Sequence, residues 1–296
     1  MAHSHVLAGA ALNPAGLKVR KIGINDLRDA LMRGLDDFRA MPSHAVFLCL
    51  IYPIVGFVLY RLVLGYNVLP LLFPLVAGFA LIGPIAALGI YEMSRRREHG
   101  LDVSWRRALD VFHSPSIGAI VALGLMLVAV FIVWLAVAQA IYVANFGYQP
   151  AASMPDFLQQ VLRTPAGWSL IIVGNGVGFV FAVAVLTVSV VSFPLLLDRD
   201  VGAATAVLTS VRAVAANPVT MAVWGLIVAA LLVLGSLPFF FGLAVVVPVL
   251  GHATWHLYRR LVDPGEAPRN EYHDTPKGRR YAAQFPAALF PWAREK

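Results

Sequence analysis

Six stretches of the chain are almost continuously apolar over about the 20 residues that a helix needs to cross a bilayer. They run over 45–64, 69–91, 117–144, 167–197, 219–237 and 239–261. Unpaired backbone groups in hydrocarbon cost several kcal/mol each, so runs of this kind are expected to be helices. The fourth is overlong, which predicts a tilted helix or one that begins in the interface. The fifth and sixth are divided only by the short turn 236–240 containing Pro238. Together they are too long for one crossing and too short for three, so two close-packed spans are expected.

The segments before the odd-numbered runs share a plan: an amphipathic helix, a proline, then a membrane hairpin. In the first, Asn25 can cap a helix with Ile24, Leu27, Leu31, Leu35 and Phe38 on one stripe, and Pro42 follows. In the second, Ser104 can cap a helix carrying Trp105, Leu109 and Phe112, with Pro115 after it. In the third, Ala204, Val207, Leu208, Val211 and Ala215 repeat the spacing before Asn217-Pro218. Each is expected to lie along the inner interface. The second span of each hairpin also holds a proline, Pro84, Pro194 or Pro248, and a kink is expected at each. The pattern suggests three repeats, 24–100, 101–200 and 201–262, within a membrane domain 24–262 flanked by tails 1–23 and 263–296. The predicted class is an all-α, polytopic membrane bundle of six transmembrane helices arranged as three hairpins, each preceded by an amphipathic helix on the cytoplasmic side.

Composition sharpens this. With 59% hydrophobic and 13% charged residues and a mean hydropathy of +0.75, the chain has more apolar surface than a soluble core could hide. With the N-terminus inside, 21 of the 23 Lys and Arg residues fall on the inner side, and only Arg61 and Arg163 fall outside. The positive-inside rule therefore predicts cytoplasmic termini. No apolar h-region occurs in the first forty residues, so a cleavable signal peptide is not expected and the N-terminus should stay inside. The net charge of +7 sits beside apolar runs, which points to the bilayer and its anionic lipids rather than to nucleic acid. The single cysteine, Cys49, excludes an intramolecular disulfide and a cysteine metal cluster.

Candidate chemistry is sparse. His252 and His256 stand at i, i+4 on one helix face, a spacing that can bind one metal ion; the competing reading is a pair of interfacial histidines. Glu92 with Arg95 and Arg96, and Asp198 with Arg199, read as ion pairs at helix ends, with a coupling-ion site as the alternative. In the fourth run, Gly174-Asn175-Gly176-Val177-Gly178 suits close helix packing with Asn175 bonding across helices; a substrate-lining half-helix is the alternative. Gln139 is a second polar intramembrane candidate. No acidic or basic residue lies mid-span, and no nucleophile elbow, phosphate loop or catalytic carboxylate pair is present. Neither an enzyme nor a cofactor is expected.

Several runs resemble a bacterial integral-membrane family, domain of unknown function 2189: Leu72 to Phe79 continuing to Gly83-Pro84, Tyr91 to Arg96, Ser192 to Arg199, Asn217-Pro218, and Gly251 to Tyr258. Members carry labels such as predicted membrane protein or cytochrome c oxidase subunit. The resemblance implies an integral protein of the bacterial inner membrane and, through the second label, association with a respiratory oxidase. Oxidase catalysis needs histidines on several helices for two haems and copper, whereas the inner pair here lies on one helix. An accessory or assembly role is what that label would leave. Two functional expectations stand: a noncatalytic scaffold or accessory protein acting through membrane partners or a second copy of itself, and a small transporter or channel for a neutral or lipidic solute.

Overall fold

The computed structural model describes residues 17–41, 74–75, 83–148, 153–238, 241–263, 265 and 267–270. The expected first span and most of the second lie outside the described residues, as do Pro42, Cys49, Arg61 and the tail beyond Asn270. The described chain runs β1 (Lys18–Val19), α1 (Ile24–Ala40), α2 (Gly83–Ala86), α3 (Leu88–Glu98), α4 (Trp105–Ala108) and a 3-10 turn (Leu109–His113). It continues through α5 (Ile117–Phe146), α6 (Met154–Arg163), α7 (Pro165–Ser189), α8 (Ser192–Asp198), α9 (Ala203–Ala216), α10 (Pro218–Ser236), α11 (Leu243–Leu261) and β2 (Val262–Asp263).

Among the described residues, three helices are long and apolar enough to cross a membrane: Ile117–Phe146, Pro165–Asp198 and Pro218–Ser236. At 1.5 Å per residue, the 30 residues of α5 reach about 45 Å, enough to cross the hydrocarbon and emerge. Their outward faces, with Leu125, Ile132, Ile172, Phe179 and Leu226 exposed, are suited to lipid. Helix α11 does not join this set. Its first half is apolar, but from His252 onward it carries His256, Arg259 and Arg260 and is buried against other helices.

The overlong fourth run proves to be broken rather than simply tilted. Pro194 has no N–H to offer the carbonyl of Val190, and the helix is interrupted at Val190–Val191. The hydroxyl of Ser210 on α9 repairs part of the break. It accepts from Val191 N–H (3.2 Å) and donates to the Thr187 carbonyl (2.7 Å), as a break in a membrane requires. A break also falls at Ala87, three residues after Pro84, whereas Pro248 sits within a continuous α11.

Two expected interfacial helices use faces other than those their apolar spacing suggests. In α9 the protein-facing side is Thr205, Ala206, Thr209, Ser210 and Ala213, while Ala204, Leu208, Val211 and Ala215 are exposed. Small and hydroxyl-bearing side chains give close approach and hydrogen bonds inside, and the larger apolar ones are left for lipid. In α1 the buried positions are Leu27, Ala30, Gly34 and Asp37. Ile24 is exposed, and Leu31, Leu35 and Phe38 are half-buried. This helix packs along α11, and Gly34 sets the separation: a Cβ built there would lie 2.6 Å from the backbone nitrogen of Ala253. The second segment begins at Ser104, whose hydroxyl accepts from Arg107 N–H (3.3 Å), but it becomes a short α4 followed by 3-10 backbone rather than one helix.

Outside the membrane runs, α6 was not foreseen. Ser153 caps it by accepting from Asp156 N–H, and Thr164 both ends it and caps α7. The chain's two flanks are also more ordered than free tails. Strands β1 and β2 pair antiparallel, Lys18 with Asp263 and Val19 with Val262. Asn217, between α9 and α10, accepts from Ile22 N–H (2.8 Å) and donates to the Arg20 carbonyl (3.0 Å).

Candidate functional site

The ends of α3, α8 and α11 meet, and nearly every charged side chain they carry is turned toward the meeting point. Helices α3 and α11 place their arginines in the last turn, where cations favour the negative end of the helix dipole. Tertiary packing then supplies carboxylates. Arg95 forms a two-pronged pair with Glu92, Nε–H on Oε2 at 2.7 Å and Nη2–H on Oε1 at 3.0 Å. Arg96 lies across the same carboxylate at 3.4 Å, reaches Asp110 at 3.3 Å, and donates to the Asp102 carbonyl at 2.8 Å. All three side chains of this Glu92 group are buried. Such pairs need this saturation of hydrogen bonds, because each buried charge forfeits hydration.

A second group centres on Asp198. Arg199 donates to it (3.1 Å), as does the Tyr258 hydroxyl (2.8 Å), and Arg259 approaches at 3.5 Å. Arg259 also donates to Glu98 Oε1 (3.0 Å), whose other oxygen accepts from the Trp255 indole (2.9 Å). Residues after β2 close the group from outside: Arg199 donates to the Ala267 carbonyl, and the buried Asn270 amide donates to the Leu196 carbonyl and the Ser116 hydroxyl. Glu92, Arg95, Arg96, Asp198 and Arg199, expected as ion pairs at the membrane interface, pair with one another here and are buried against the rest of the protein.

The third group joins the two histidines to α1. Asp37 receives Arg97 Nη1–H on Oδ1, and its Oδ2 lies 2.7 Å from Ser94 Oγ and 2.9 Å from His256 Nε2. His252 Nδ1 lies 2.7 Å from the same Ser94 oxygen. Ser94 has one proton, and the carboxylate can only accept, so the hydroxyl donates to Asp37 and His252 donates from Nδ1. That tautomer leaves a bare lone pair on His252 Nε2, which is buried and has no hydrogen-bond partner. Burial by itself would raise the Asp37 pKa, but hydrogen bonds from His256 and Ser94 outweigh it and hold the carboxyl below the ordinary 3.8. A carboxyl depressed in the folded state stabilises above the unfolded value and loses that contribution as pH falls toward its folded pKa. Wild type is therefore expected to lose stability more steeply below about pH 4 than Asp37→Asn, as read from thermal midpoints in detergent between pH 7 and 3.

His252 and His256 thus come together with Asp37, yet among the described residues no group of three or more His, Cys, Asp or Glu has an arrangement that could hold a metal ion. Among the described residues, Asn175 and Gln139 are not brought together with each other or with a second polar side chain. Both are exposed on α7 and α5, and Asn175 donates to the Ile171 carbonyl of its own helix (2.7 Å) rather than across to a neighbour. A Cβ at Gly174 or Gly176 would meet nothing; Gly178 alone of the three faces a partner, the Trp134 ring at 3.0 Å. Asp37 and Ser94 escaped the sequence reading because they are single polar residues on helices far apart in the chain. No local pattern marked either one, since Asp37 lies off the stripe of Ile24, Leu27, Leu31, Leu35 and Phe38.

Long apolar helices capped on one side by a paired polar core define an α-helical integral membrane protein. More particularly, residues 72–198, from the expected second span through α8, match the family described as predicted integral membrane protein (DUF2189). The Asn217-Pro218 and Gly251–Tyr258 parts of the resemblance lie beyond the matched segment. No curated protein and no solved structure matches the chain.

Proposed function

We propose that this protein is a noncatalytic scaffold or accessory component of a bacterial inner membrane, acting by holding membrane partners against a rigid cytoplasmic face. The observation behind this reading is the state of the ionisable groups where the three helix ends meet. Glu92, Asp198, Glu98 and Asp37 each bind guanidinium groups of the same chain, which suits a structural role better than general acid–base work, in which a group must exchange its proton freely with substrate.

A six-span arrangement fits the same picture. The pairing of β1 with β2 supports an even number of crossings between them, which the three long apolar helices alone do not make. In a six-span arrangement α11, apolar only in its first half, would make the fourth crossing, and the apolar runs 45–64 and 69–91 would make the other two. The basic residues put the paired strands, and with them both termini, in the cytoplasm.

Isolation of the full chain from native membranes in mild detergent, with identification of copurifying proteins, tests the proposal. A stoichiometric membrane partner is expected, and its visible spectrum would expose a haem-bearing oxidase. A protein that always runs alone and mediates solute flux in proteoliposomes would overturn the scaffold reading in favour of a transporter.

A further inference from the structure

A cleft of about 510 Å³ opens between α1, α3 and α11, beside the histidine group. Four arginines line it, Arg33, Arg97, Arg259 and Arg260, against three carboxylates, Asp36, Asp37 and Glu98. A count of charges alone leaves the cleft close to neutral. A count of hydrogen-bonding capacity does not.

The two buried or half-buried carboxylates are already occupied. Both oxygens of Asp37 are taken, by Arg97 on one side and by Ser94 and His256 on the other. Both oxygens of Glu98 are taken, by Arg259 and Trp255. Only Asp36 remains, exposed and 4.0 Å from Arg39. The guanidinium groups are in the opposite condition, since each has five N–H donors. Arg97 spends one, Nη1–H on Asp37, while Arg259 reaches its partners through Nε and Nη1. Arg260 reaches Asp29 and Asp26 through its two terminal nitrogens, at 3.2 and 3.5 Å, with its side chain 40% exposed. Arg33, in the middle of α1 where no helix end calls for a cation, has no partner among the described residues.

We propose that this cleft binds a phosphate group, carried by an anionic lipid headgroup or by a small soluble phosphate ester. It presents surplus donors and few free acceptors, on guanidinium forks that match phosphate oxygens. The volume exceeds what inorganic phosphate needs and leaves room for the glycerol or similar group attached to it. Arg33 and Arg97 come from different helices, so an occupied cleft would join α1 to α3. The proposal is independent of the scaffold reading and stands whether or not a protein partner exists.

The test uses the purified full chain in a zwitterionic detergent, with thermal midpoints recorded against inorganic phosphate, glycerol 3-phosphate, and sodium chloride at equal ionic strength. Native mass spectrometry after mixing with phosphatidylglycerol or phosphatidylcholine forms the lipid arm. Arg33→Glu is the informative variant because Arg33 is exposed and has no partner among the described residues, and its ligand response is read against its own midpoint without ligand. Arg28→Glu, on the same helix but away from the cleft, is the control. Stabilisation by glycerol 3-phosphate, weakened about tenfold in apparent affinity by Arg33→Glu and unchanged by Arg28→Glu, would support the site and name a soluble ester as its source. Retention of phosphatidylglycerol over phosphatidylcholine, lost in Arg33→Glu alone, would support it and name the lipid. Equal responses to phosphate and chloride, or equal responses of the two variants, would overturn it.

Discussion

Replacing Glu92 with alanine is expected to lower stability by about 3–5 kcal/mol, the range seen when one partner of a buried ion pair is removed. Glu92 is fully buried and shared by two guanidinium groups, so the variant leaves Arg95 and Arg96 in an apolar surround with reduced compensation. Arg96 keeps Asp110 and the Asp102 carbonyl, but the two-pronged acceptor of Arg95 is gone. Folded yield after membrane extraction, followed by thermal unfolding in detergent, measures the effect. Glu92→Leu combined with Arg95→Leu should recover a large part of the loss, because the cost lies in the unpaired charge more than in the missing bond. A single variant as stable as wild type would show that water reaches this core and solvates the arginines.

The second large effect is expected at Gly34. Any side chain there meets main-chain atoms of α11, with the built Cβ 2.6 Å from Ala253 N and 2.8 Å from its Cα. Helices α1 and α11 must move apart, and Leu27 and Ala30 lose their seat, as does the contact between Asp37 and His256. Gly34→Val should therefore cost at least the 1–3 kcal/mol typical of overpacking. Ala253→Gly removes the Cβ at 2.8 Å but should not rescue it, since the backbone N at 2.6 Å and Cα at 2.8 Å remain in the way. A Gly34→Val protein with an unchanged midpoint, or one fully rescued by Ala253→Gly, would mean that the helices are farther apart than described.

Much of the architecture could be read along the chain because the bilayer imposes a one-dimensional rule. Any long apolar run must be helical, so α5, α7 and α10 were evident from composition alone. Proline and hydroxyl positions were legible for a similar local reason: Pro194 cannot donate to Val190, and Ser104 can cap whatever follows it. Apolar spacing was a poorer guide to packing. On α9 lipid is an equally good home for Leu208 and Val211, so the protein-facing side is chosen by small residues and hydroxyls instead.

The polar core depended on contacts that no local pattern carries. Glu92 lies one turn from Arg95 and Arg96, and that pairing was visible from spacing. Asp37, Ser94 and His252 are separated by 57 and 158 residues, and only the docking of α1 along α11, at the distance Gly34 permits, brings them into one hydrogen-bonded chain. The same holds for Tyr258 with Asp198 and for Trp255 with Glu98. From residues alone came a basic, helical membrane chain with little charge inside its spans. Burial of its helix-end charges, occupation of the carboxylates, and the surplus of arginine donors in one cleft follow from tertiary packing, because hydrogen-bond capacity is spent between elements distant in sequence.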